Sequence, residues 1–132
     1  MLATAGGGVV RRWNANAVSL SPVGDSKHGV RCVRVTGDGS IVYCQEAGGD
    51  YASSTLLLCP GDEHEEEMRF ATGSSSSAED DQLTCCDVDK SCRLVCAGSQ
   101  RGVAYVWDVK RRRLARRLEH DDQSPVRCLR FF

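Results

Sequence analysis

Eight cysteines, three histidines and a dense run of arginines are the residue types in this 132-residue chain that could do chemistry. The thiols are Cys32, Cys44, Cys59, Cys85, Cys86, Cys92, Cys96 and Cys128. In a small secreted protein they would suggest a disulfide framework. Residues 1–10 lack a basic region ahead of an apolar one, because Arg11 and Arg12 come after it, so a secretory signal is not expected and the thiols read as reduced. Zinc takes two ligand pairs, each with two to four residues between its members, and only Cys92-x3-Cys96 comes close, with Cys85 or Cys86 as its partners from a neighbouring strand. The lack of a two-residue knuckle favours Cys32, Cys44, Cys85, Cys96 and Cys128 as small apolar fillers inside strands. No metal and no other cofactor is expected.

Catalytic groups are sparse. His28, His64 and His120 fall in expected loops, and no Ser or Cys stands in a Gly-x-Ser-x-Gly elbow. Gly6-Gly7-Gly8 lacks the lysine and the following helix of a phosphate loop. The acidic run Asp62, Glu63, Glu65, Glu66 and Glu67 lacks the alternate-position ligands of a calcium loop and reads as solvated. An enzyme is therefore not expected.

The best local candidate for function is basic: Lys110, Arg111, Arg112 and Arg113, followed by Arg116 and Arg117. Such a turn could contact an acidic protein surface, a nuclear import receptor or nucleic acid. It reads equally as solubilising charge on a hairpin whose edge arginines discourage strand pairing. Few aromatics lie nearby to stack bases, which disfavours single-strand binding. A net charge of -1 adds no global argument for nucleic acid or membrane.

These residues have to be held by strands. Residues 94–109 read LVCAGSQRGVAYVWDV, two apolar runs joined at Ser99-Gln100-Arg101-Gly102. Val103, Tyr105 and Trp107 alternate onto one face, Ala104 and Val106 onto the other, as a hairpin requires. Residues 2–5 and 9–13 repeat that layout around the three glycines, ending in Trp13-Asn14. Residues 18–20 could add an edge strand before a loop at 21–26. Further strands are expected at 28–35, with Arg31 and Arg34 near its solvent side, then at 41–44, 55–59, 68–72, 83–88, 114–118 and 126–132. Residues 73–82 are Ser-rich and acidic and read as an exposed, mobile loop. No apolar run approaches the roughly 20 residues that span a bilayer.

The pattern repeats internally. Gly29-Val30-Arg31-Cys32-Val33-Arg34-Val35 and Pro125-Val126-Arg127-Cys128-Leu129-Arg130-Phe131 match position by position, 96 residues apart. Half of that, about 48, lies close to the roughly 40–45 residues of a four-stranded propeller blade. The order of strand, turn, strand ending Trp107-Asp108, outer strand, His120-containing loop and next strand resembles the WD-repeat β-propeller family.

That resemblance implies an all-β fold of antiparallel four-stranded propeller blades, incomplete, with about three blade equivalents. Residues 1–26 would be the last two strands of a blade, 27–72 a degenerate blade, 83–119 the best-preserved blade and 120–132 the first strand of another. The chain would then be the N-terminal fragment of a larger propeller. Trp13, Trp107, Asp108 and His120 would be the signature residues. The family's hydrogen-bonded set also uses a Ser or Thr and a turn Asp, positions occupied here by Ala97 and Arg101. Within the family, His28-Gly29, Gly49-Asp50, the worn Leu57-Leu58-Cys59 strand and the intact Trp-Asp unit are similar to centrosomal WD-repeat propellers that recruit γ-tubulin ring complexes.

The resemblance implies a non-catalytic protein–protein interaction scaffold in a multi-subunit complex, with γ-tubulin complex components as partners in microtubule nucleation. The location implied is cytoplasmic, at the centrosome or cytoskeleton, with the nucleus open to it. The alternative is a nucleic-acid-binding or RNA-processing subunit that uses the basic turn at 110–117.

Overall fold

The computed structural model describes residues 2–6, 9–13, 19–25, 29–46, 54–61, 66–72 and 81–132. Eleven strands among these residues form three antiparallel sheets. The first sheet holds β1 (Leu2–Gly6), β2 (Val9–Trp13) and β3 (Ser19–Asp25), in that order. The second holds β4 (Val30–Val35), β5 (Ile41–Gln45), β6 (Thr55–Cys59) and β7 (Met68–Ala71), and the third holds β8 (Leu83–Val88), β9 (Leu94–Ser99), β10 (Val103–Asp108) and β11 (Arg113–Glu119). Each strand pairs with its sequence neighbours, a meander of hairpins that needs no crossover.

Alternation decides what each sheet buries. In β5 and β6, Val42, Cys44, Leu56 and Leu58 join a core shared with the third sheet, which contributes Leu83, Cys86, Val88, Val95, Ala97, Val103, Tyr105 and Trp107. Ile41, Tyr43, Leu57 and Cys59 point the other way and pack on Val10 of the first sheet. The middle sheet is thus covered on both faces, which is why Ile-Val-Tyr-Cys and Leu-Leu-Leu-Cys run without polar interruption. Each fully buried aliphatic side chain contributes about 1.5–3 kcal/mol. Both arginines of β4 cannot share a face at period 2: Arg31 is exposed and pairs with Glu46 at 2.7 Å, whereas Arg34 is half-buried.

The second and third sheets repeat details as well as strand count. Both first hairpins carry a register shift at the start, between Val30 and Cys32 in one and between Leu83 and Cys85 in the other. Both first turns are closed by an aspartate: Asp38 accepts from Ser40 N–H at 3.0 Å, and Asp89 from Arg93 and Leu94 N–H at 2.8 and 3.0 Å. The two turns meet across the sheets, where the Cys92 thiol lies 3.8 Å from Asp38 Oδ2.

Three expectations are corrected. The edge strand suggested at 18–20 is β3, Ser19–Asp25, and it runs on through Pro22 into the segment expected as a loop at 21–26, so residues 1–26 hold three strands and not the last two of a blade. As an edge strand it tolerates a proline, and the register slips beside it. Residues 120–132 form no strand. They are tied to the third sheet by single bonds: Val126 N–H donates to Ser99 O at 2.9 Å, Thr84 Oγ1 to Val126 O, and Phe131 N–H to Asp87 Oδ2 at 2.7 Å. Of the expected loop at 73–82, residues 73–80 lie outside the described residues, while Asp81 is buried and Gln82 half-buried.

Candidate interaction surface

The basic residues gather at one border of the third sheet. Lys110, Arg111 and Arg112 form the turn between β10 and β11, and Arg113, Arg116 and Arg117 lie on β11, where every residue is exposed. The turn is set by Asp108, whose Oδ1 accepts the Arg111 N–H at 2.9 Å, and by Arg112 at φ 53. Arg117 is engaged locally, bonding Glu119 at 3.0 Å with its guanidinium 5.9 Å from the Tyr105 ring centre.

Beside the turn, Leu94, Val106 and Leu114 floor a shallow groove of about 510 Å³ rimmed by Arg111, Arg113 and Arg116. The groove exists because β10 sends Val103, Tyr105 and Trp107 into the core and leaves Ala104, Val106 and Asp108 half-exposed on the opposite face. A slip in the β10–β11 register between Val106 and Trp107 adds Ala115 to its wall. An apolar floor under three guanidiniums suits an acidic, partly apolar ligand.

The signature residues divide. Trp107 is 1% exposed, stacks on Tyr105 at 5.8 Å and meets Phe70 at 6.0 Å. Its indole N–H donates to Ala71 O at 3.2 Å, across to β7. In the first sheet Trp13 Nε1 donates to Thr4 Oγ1 at 2.8 Å. Thr4 and Ala97 hold equivalent places, each two residues along from the partner of its Trp, so the alanine explains why Trp107 bonds elsewhere. His120 is exposed and reaches the β9–β10 turn through its backbone, donating to Gly102 O at 2.9 Å.

The sequence reading missed Asp81. Its carboxylate accepts the Tyr105 hydroxyl at 3.0 Å and the Arg101 backbone N–H at 3.1 Å, locking the turn before β10 to the approach to β8. The acid therefore stands ahead of β8, and the turn position carries Arg101. Its only sequence signal was an aspartate just before an apolar strand, masked by the acidic, Ser-rich run around it.

All eight thiols are free. Cys44, Cys59, Cys85, Cys86 and Cys96 are buried and Cys32 and Cys92 half-buried, whereas Cys128, expected inside a strand, is exposed because 120–132 form none. Across the sheet interface the Cys32, Cys44 and Cys86 thiols donate to Cys86 O, Cys85 O and Val42 O, while Cys92 and Cys96 bond Asp38 and Asp87 separately. Among the described residues no three His, Cys, Asp or Glu side chains converge as metal ligands. His28, His64 and the run 62–65 lie outside the described residues.

Burial and nearby carboxylates push the Cys59 and Cys96 thiols up to about 12, and burial with the Asp81 hydrogen bond pushes the Tyr105 hydroxyl up to about 12. These groups fold neutral, so the stability they support is complete below pH 9 and lost as pH rises from 9.0 for thiols, or 10.0 for tyrosine, through about 12. The urea midpoint is expected to fall steadily above pH 9; a midpoint constant to pH 12 would contradict this burial. Compared with known proteins, the chain matches no family model and no curated protein sequence.

Proposed function

We propose that the chain is part of a WD-repeat propeller and serves as a non-catalytic scaffold for protein–protein interaction. One observation carries this reading: two four-stranded meanders pack face to face and repeat the same register shift at the start of their first hairpins. On this reading β1, β2 and β3 are the outer three strands of a blade, which fits Trp13 and Trp107 at the ends of corresponding strands.

The exposed basic border at 110–117 is the partner surface in this reading. The sequence likeness to centrosomal propellers supports a place in microtubule nucleation, with γ-tubulin complex components as partners. Purified chain is expected to co-sediment with purified γ-tubulin ring complexes and to show no binding to single-stranded RNA at low salt. RNA binding whose salt slope flattens when Arg111, Arg112 and Arg113 are changed to alanine would favour the nucleic-acid reading instead, which rests on the same six basic residues.

A further inference from the structure

We propose that the groove beside β11 binds an extended acidic peptide with alternating apolar side chains, laid across the outer face of the third sheet. This rests on the reading of the chain as a protein-interaction scaffold and names the chemistry of its partner. The groove runs across the sheet from Leu94 of β9 past Val106 of β10 to Leu114 of β11. All seven residues from Arg113 to Glu119 are exposed, and Leu114 and Leu118 are 40% and 55% exposed.

Charge selects the occupant. Arg111, Arg113 and Arg116 rim the groove, and none of them forms a salt bridge among the described residues, in contrast to Arg117 with Glu119. The one carboxylate at the rim, Asp108, is turned to the Arg111 backbone. Three guanidiniums beside Leu94, Val106 and Leu114 therefore match carboxylates alternating with aliphatic side chains: the period of two turns the aliphatic groups onto the apolar lining and the carboxylates away from the sheet, toward the long side chains of Arg111, Arg113 and Arg116. A nucleic-acid strand would leave that apolar floor without a partner, because Leu94, Val106 and Leu114 offer no aromatic face for bases.

The test is fluorescence anisotropy with the whole chain and a labelled decapeptide alternating glutamate and valine. Binding is expected to weaken at least about tenfold in the combined Arg111→Glu, Arg113→Glu, Arg116→Glu variant and about threefold in Val106→Ser, with an alternating lysine–valine peptide unbound. The three arginines are exposed, so an unchanged urea midpoint verifies folding of the charge variant. Absence of binding, equal binding by the charge variant, or RNA competing at equal affinity overturns the proposal. If γ-tubulin complexes still co-sediment while the peptide does not bind, the groove assignment fails and the scaffold reading stands.

Discussion

Trp107→Ala is expected to destabilise the chain by about 3–5 kcal/mol, among the largest effects available to one substitution here. The indole is fully enclosed between the second and third sheets, with Tyr105 stacked on it and Phe70 tilted against it. Its removal opens a cavity at the point where both sheets meet, and neighbouring rings anchored by their own strands cannot close it. Trp107→Phe keeps most of the packing and loses the bond to Ala71 O, so it should cost about 1 kcal/mol. Urea denaturation of both variants separates packing from hydrogen bonding. A loss near 1 kcal/mol for the alanine variant would mean that the sheets do not meet at this residue.

Gly98→Val is expected to release residues 126–131 from the third sheet. A Cβ at Gly98 would sit 2.5 Å from Val126 Cγ1 and 2.8 Å from the Cys85 Sγ, closer than real contacts allow. Cys85 is buried within the sheet, so the yielding partner is Val126. Overpacking of this kind costs about 1–3 kcal/mol, comparable with the few bonds that hold the segment at about 0.5–1.5 kcal/mol each. The Val126 amide should lose its protection from hydrogen exchange while β9 and β10 amides keep theirs. Equal loss across the sheet would show that the substitution unfolds the sheet and does not act locally.

The hairpin of β9 and β10 was legible because strict alternation and Gly102, at φ 78, fix both faces and the turn. The first hairpin was legible for the same reason, with Leu2–Gly6 and Val9–Trp13 flanking the glycines. β3 was legible only at its start, since Pro22 and Gly24 read as a loop until β2 is there to receive an edge strand. Residues 126–132 carry strand-forming residues, but a ladder also requires a neighbour with free donors, and the segment instead meets Thr84, Asp87 and Ser99 singly.

At the candidate site, charge and exposure of the basic residues followed directly from composition and turn position. The groove did not, because it depends on a register slip between Val106 and Trp107 that periodicity cannot reveal. The Thr4–Trp13 bond and the Asp81 contacts likewise need strand register, which joins residues nine and twenty-four positions apart in sequence.

The scaffold reading stands on one central claim, that the chain repeats a sheet unit, with residues 126–131 laid against the third sheet through single bonds. Amide hydrogen exchange on the unsubstituted chain tests it most directly. The account predicts that the Val126 and Phe131 amides are protected, through Ser99 O and the Asp87 carboxylate, and that Asp87→Ala removes protection at Phe131. Exchange of both amides at the rate of a free peptide, with β8 and β9 still protected, would contradict it.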